Sequence, residues 1–150
     1  MKVCIATFCA LLLLTWSAPS QAMSCTVSSL GVALGSYDSI LRTQQDSSGT
    51  LTYRCDDVSA DIIIQLSSGN AGSYSPRRMS QGPFRLSYNL YRDGARSLVW
   101  GDGSAGTAQL GPFTPANGVD TDVTVYGRIA ANQNVHAGPF SDTIVVTVVF

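Results

Sequence analysis

The sequence predicts an exported, all-β domain of the β-sandwich kind, and three observations carry that expectation. Beyond Ala22 no stretch repeats apolar residues at helical spacing for three turns. Short runs alternate instead, and Gly, Pro, Asn and Asp break them. The same region contains no Lys and no Glu, two strong and common helix formers, while Gly, Ser, Thr, Val and Tyr dominate.

The export prediction rests on residues 1–22. Lys2 supplies a positive start, Val3 to Trp16 is an uninterrupted run of apolar or small residues centred on Leu11-Leu12-Leu13-Leu14, and Pro19 breaks it. Ser20-Gln21-Ala22 then places small residues where a signal peptidase needs them. The run is too short for a permanent membrane span, so no membrane anchor is expected. Cys4 and Cys9 leave with this segment. Residues 23–150 remain as one domain with one core. Their eight Arg and ten Asp give a net charge of −2, which speaks against a nucleic-acid or acidic-membrane partner.

Two cysteines stay, Cys25 and Cys55. An even pair in an oxidising compartment predicts a disulfide, closing a loop of about 30 residues and contributing roughly 3.5 kcal/mol. A two-cysteine metal site is the competing idea. One histidine in the chain and no paired spacing disfavour it, and no cofactor is expected.

In chain order, Val27 to Leu34 reads as an imperfect first strand ended by Gly35, and Gln44 to Gly49 as a polar loop. Leu51, Tyr53 and Cys55 then alternate with Thr52 and Arg54. Ile62, Ile64 and Leu66 form a strand that Ser67-Ser68-Gly69-Asn70 stops. Phe84, Leu86, Tyr88 and Leu90 give the cleanest period of two. Asp93-Gly94 signals a turn before a short strand at Ser97 to Trp100. Gly101 to Pro115 reads as a Gly/Pro-rich loop, and Val123, Val125 and Ile129 as a strand interrupted by Gly127. Thr143 to Phe150 is the last strand. Six to seven such strands argue for a sandwich, with a closed barrel as the other compatible architecture.

Enzyme templates fit poorly. The single histidine, His136, sits among Asn132, Gln133, Asn134 and Gly138 in a polar turn, and no Gly-x-Ser-x-Gly elbow accompanies it. Asp56-Asp57 reads as a turn after Cys55, since adjacent strand residues point to opposite faces. Trp100 to Gly106 is glycine-rich, but no Gly-Lys-Ser/Thr and no helix follow it, so a tight turn is the better reading. Asp102 alone cannot cage calcium, and the sequence does not constrain whether Asp93 or Asp120 folds near it. Arg77-Arg78 reads as a solvated loop or half of a surface ion pair.

The last strand is informative. Ile144, Val146, Val148 and Phe150 line one face, Val145, Thr147 and Val149 the other. A strand apolar on both faces is normally central, with neighbours on each side. Either earlier strands flank it, or it leaves an unfilled edge beside the core that a foreign strand could fill.

Several segments resemble a known family when taken in order. They are Cys25 and Cys55, Ile64-Gln65-Leu66-Ser67-Ser68-Gly69, Arg77-Arg78-Met79, Leu86 to Asp93, Val99-Trp100-Gly101-Asp102-Gly103, Val125 to Ile129, Gln133, and Ala137 to Thr143. Together they resemble the spore coat protein U domain family, the pilin module of archaic (Csu-type) chaperone–usher pili. The resemblance implies an incomplete immunoglobulin-like sandwich lacking its final strand. It also implies three kinds of partner: a periplasmic pilus chaperone that lends a strand, an outer-membrane usher, and other pilin subunits. The protein would then pass through the periplasm to a cell-surface fibre, as a structural or adhesive subunit. Ile144, Val146, Val148 and Phe150 become the expected groove for the chaperone or donor strand. Burying four or five large apolar side chains there contributes roughly 6–15 kcal/mol before ordering costs.

One departure from the family shapes a further expectation. Cleavage after Ala22 leaves only Met23 and Ser24 ahead of Cys25, too few to serve as a donor strand. The chain is then expected to accept a strand without giving one, as a terminal or tip subunit does. A self-complemented secreted coat or surface protein that never polymerises is the alternative.

Overall fold

The structure, a computed structural model, describes residues 21–29 and 31–150, so most of the expected signal segment lies outside the described residues. Among the described residues the expected all-β architecture is present as eight strands: β1 (Ser24–Ser29), β2 (Gln45–Asp56), β3 (Ile62–Leu66), β4 (Arg77–Gln81), β5 (Phe84–Tyr91), β6 (Leu110–Phe113), β7 (Thr121–Ile129) and β8 (Val146–Val149). They form two sheets, one of five strands in the order β1-β2-β7-β5-β4 and one of three in the order β6-β3-β8. All strand pairs are antiparallel. Two separate sheets make this a sandwich rather than a closed barrel.

Period-two patterning explains which side chains meet. Leu51, Tyr53 and Cys55 of β2, Leu86, Tyr88 and Leu90 of β5, and Val125 and Ile129 of β7 face the buried Ile62, Ile64 and Leu66 of β3. Trp100 fastens the two layers. Its ring is fully buried, its Nε1 donates to the Ile64 carbonyl at 3.0 Å, and its backbone N–H donates to the Leu90 carbonyl at 2.9 Å. Cys25 and Cys55 stand directly opposite each other in the β1–β2 register and form the disulfide.

Four local expectations need correction. Gln45 to Gly49 is the first half of β2, not a loop, and pairs with β7 from Ile129 to Val125. Its small residues serve a purpose: a Cβ at Gly49 would lie 2.9 Å from Val32 Cγ2, and one at Gly127 would run into Leu34 Cδ2. Glycine at both positions lets the Val32–Leu34 segment lie against these strands, and so β1 ends at Ser29 rather than at Leu34. The Gly101–Pro115 stretch contains β6, whose Leu110 and Phe113 pair with Ile64 and Ile62.

The fourth correction concerns Arg77, which is neither solvated nor part of a surface ion pair. It begins β4 and is fully buried. Its guanidinium donates to the carbonyls of Ser67 and Trp100 and to Asn89 Oδ1, and lies over the Tyr74 ring. Two further strands are shorter than expected. Ser97 to Trp100 makes only isolated bridges, from Val99 to Tyr91 and from Trp100 to Ala108. The last strand is regular from Val146 to Val149.

Candidate functional site

β8 pairs with β3 from Leu66↔Val146 to Ile63↔Val149 and with no other strand among the described residues. The direction of its backbone groups follows from two contacts. Ser67 N–H donates to the Val145 carbonyl at 2.9 Å, and Val145 N–H donates to Ser67 Oγ at 2.9 Å. Both Val145 groups therefore point toward β3. In an antiparallel strand the residues between such positions direct N–H and C=O the other way, so those of Ile144, Val146 and Val148 face the open edge.

A groove of about 690 Å³ lies between the sheets beside this edge. The large sheet lines it with Leu51, Met79, Leu86, Tyr88, Leu90, Val125 and Ile129, and the small sheet with Leu66, Val146 and, just ahead of β8, Ile144. Two irregular segments, Gly31–Tyr37 and Val135–Asp142, complete the lining. The second is held by Val135 and Phe140, which pack against the core, and by polar contacts. Just ahead of it, Gln133 exchanges hydrogen bonds with the Ser87 backbone and its N–H donates to the Tyr37 hydroxyl. Within it, Ser141 and Ser80 exchange backbone hydrogen bonds.

Magnitude shows why the groove matters. At ~24 cal/mol per Å³, a sealed dry void of 690 Å³ would cost on the order of 17 kcal/mol, above the total stability of a typical domain. An apolar cleft of this size is stable only when open to water or filled by apolar side chains.

The expected groove residues fall in three places. Ile144 and Val146 line the groove, Val148 packs against the core beside it, and Phe150 is 55% exposed and outside the lining. Tyr88 and Asp142 form the polar part of the wall. The Tyr88 hydroxyl donates to Asp142 Oδ2 at 2.7 Å, while Asp142 Oδ1 accepts from the backbone N–H groups of Asn70 and Thr143, each at 2.8 Å. Burial first, and then the neighbouring carboxylate, push the Tyr88 phenol well above its ordinary value.

Sequence reasoning missed most of the lining, because Met79, Leu51 and the Val32–Leu34 segment become neighbours only through sheet order. Leu51 alternates with polar neighbours as a core residue does, and core and groove carry the same signal. His136 lies in the irregular segment, exposed and stacked on Phe84 with ring centroids 4.5 Å apart. No cluster of three metal-ligating side chains occurs among the described residues.

Comparison with known proteins follows the same lines. The spore coat protein U domain matches residues 10–147. The chain is 32% identical over 128 residues to Protein U of Myxococcus xanthus, an alignment covering 77% of this chain and 69% of that protein. In fold it is similar to the crystal structure of the CsuC–CsuE chaperone–tip adhesion subunit pre-assembly complex from archaic chaperone–usher Csu pili of Acinetobacter baumannii. The TM-score is 0.59 at 19% identity, over 86% of this chain and 40% of the solved one. At that identity the likeness is one of fold, and this chain spans well under half of its solved counterpart. The eight-strand sandwich, the Cys25–Cys55 bridge and the match over residues 10–147 agree: the chain belongs to the spore coat protein U domain family.

Proposed function

We propose that this protein is a pilus subunit of the archaic chaperone–usher type, exported through the periplasm and completed by a β-strand from a partner. The observation that carries the reading is β8, with one edge unpaired among the described residues beside a groove of about 690 Å³ lined mostly by apolar side chains. A strand laid along that edge pairs with the backbone of Ile144, Val146 and Val148, and its inward side chains enter the groove. The solved fold relative comes from a chaperone–subunit complex, which supports a periplasmic chaperone as the first donor and fellow subunits and an usher as later partners.

The terminal-subunit reading is conditional on cleavage after Ala22, which leaves Met23 and Ser24 ahead of Cys25. N-terminal sequencing of the exported protein decides it. The self-complemented alternative requires the chain's own segment in the groove and no dependence on a chaperone.

The test is periplasmic co-expression with an archaic-type pilus chaperone. Val146→Asp and Val148→Asp place an unpaired charge in apolar surroundings and should abolish co-purification and lower yield sharply. Thr124→Asp, on the exposed outer face of β7, should do neither. Equal behaviour of all three variants, or full yield of wild type without chaperone, contradicts the proposal.

A further inference from the structure

The ladder between β3 and β8 changes its acceptor at one rung. Leu66 opposes Val146, so the next facing pair is Ser67 and Val145. In a regular antiparallel ladder two residues that face each other in this way exchange both backbone hydrogen bonds. Here only one of the two forms, from the Ser67 N–H to the Val145 carbonyl at 2.9 Å. The Val145 N–H goes to the Ser67 side chain instead, to Oγ at 2.9 Å.

Arg77 accounts for the exchange. Its Nε and Nη2 both donate to the Ser67 carbonyl, at 3.0 and 2.8 Å. A carbonyl oxygen has two lone pairs, and the guanidinium fork occupies both. Arg77 is fully buried, and Asn89 Oδ1 and the Trp100 carbonyl hold it in place. The Ser67 hydroxyl is then the acceptor left to the Val145 N–H.

What this rung controls lies on the other side of β8. Each peptide unit is planar and trans, so its N–H and C=O point in opposite directions. The unit that sends the Val145 N–H to Ser67 Oγ turns the Ile144 C=O toward the open edge. The unit that sends the Val145 C=O to the Ser67 N–H turns the Val146 N–H the same way. Just ahead, Asp142 Oδ1 accepts from the Thr143 and Asn70 N–H groups, each at 2.8 Å. Ile144, which lines the groove, stands between these two attachments.

Resting on the strand-acceptance reading, we propose that Ser67 is a positioning residue for the incoming strand, and that Arg77 makes its hydroxyl indispensable. Ser67 acts through Val145 rather than by contact with the partner. It aims the Ile144 C=O and the Val146 N–H, and so fixes where along the edge pairing with the partner begins. Val148 opposes Ile64 in the regular part of the ladder and does not depend on it.

The test compares wild type with Ser67→Ala and Ser67→Thr, each as the full chain, free and bound to an archaic-type pilus chaperone. Formation of the Cys25–Cys55 bridge and an unchanged circular dichroism spectrum report folding. Ser67→Ala leaves the Val145 N–H without an acceptor, and its exchange in the free protein should quicken roughly tenfold. In the complex, protection of the Val146 N–H should fall about tenfold, while that of Val148 stays within about twofold of wild type. The chaperone should dissociate roughly fivefold faster. Ser67→Thr keeps the hydroxyl and should restore all of these readings. Ser67→Cys, whose sulfur is a weak acceptor, should fall between, and it takes the place of Ser67→Ala if alanine prevents folding. Equal loss of protection at Val146 and Val148 overturns the positioning role, because the effect is then a general loss of stability. Unchanged Val146 protection and dissociation in Ser67→Ala overturn it too, and leave strand acceptance standing as long as the chaperone protects Val148 in wild type. A wild-type complex with no added protection at Val146 or Val148 overturns strand acceptance itself, and the positioning role with it.

Discussion

Tyr88 and Asp142 meet at the groove wall, 54 residues apart in sequence and joined by a 2.7 Å hydrogen bond from phenol to carboxylate. The bond ties β5, which lines the groove, to the segment that leads into β8. Asp142 also fixes the Gly69–Asn70 turn through its bond from the Asn70 N–H. Gly69 is required there: its φ is +76°, and a side chain would collide with the Asp142 carboxylate.

Tyr88→Phe removes one hydrogen bond to a charged acceptor and should cost about 1.5–3 kcal/mol, read as a lower urea midpoint at constant slope. It should also change the alkaline limb of stability. The Tyr88 phenol is raised above its ordinary value in the fold, by burial first and Asp142 second. A raised folded-state value gives stability that is whole below about pH 10 and lost as pH climbs beyond it. Tyr74 is raised by burial in the same direction, so Tyr88→Phe should reduce the alkaline slope rather than abolish it. An unchanged slope between about pH 9 and 11 contradicts the assignment to Tyr88.

Arg77 offers a sharper stability test. Its guanidinium serves three acceptors in a buried site, with Asn89 in turn donating to the Tyr74 carbonyl at 2.7 Å. Arg77→Ala strands those acceptors and should destabilise by about 3–5 kcal/mol. Arg77→Lys should recover only part, because an ammonium cannot reproduce the planar fork. Chemical denaturation of the two variants decides between this account and a merely space-filling Arg77, for which lysine would suffice.

The disulfide gives the third expectation. Cys25 and Cys55 join β1 to β2 at facing positions, and Cys55 is fully buried. Mass spectrometry without reductant should find the two linked in periplasmic material. Cys55→Ser should lower stability by about 2–5 kcal/mol. Two free thiols in the exported protein would contradict it.

What the sequence disclosed and what it hid follow one physical rule. Leu86, Tyr88 and Leu90 were legible because burial alternates with the pleat, and the same logic exposed β8. Arg77 was hidden because its partners, Ser67, Asn89 and Trp100, reach it only through the fold, so its neighbours in sequence suggest solvent. The first half of β2 was hidden by small and polar residues whose smallness admits the Val32–Leu34 segment. β6 was hidden because Gly111 and Pro112 read as loop, although Leu110 and Phe113 beside them face the core. The groove itself was legible only as a strand too apolar for an edge.

Residue-resolved amide hydrogen exchange of the free protein and of its chaperone complex tests strand acceptance most directly. In the free protein the Val146 and Val148 N–H groups face the open edge, whereas Thr147 and Val149 face β3. Binding should slow exchange at Val146 and Val148 by at least tenfold and leave the Thr147 and Val149 rates comparatively unchanged. Uniform slowing along β8 would report general stabilisation instead. Unaltered exchange at Val146 and Val148 in a saturated complex would contradict the account, because no strand would then lie along that edge.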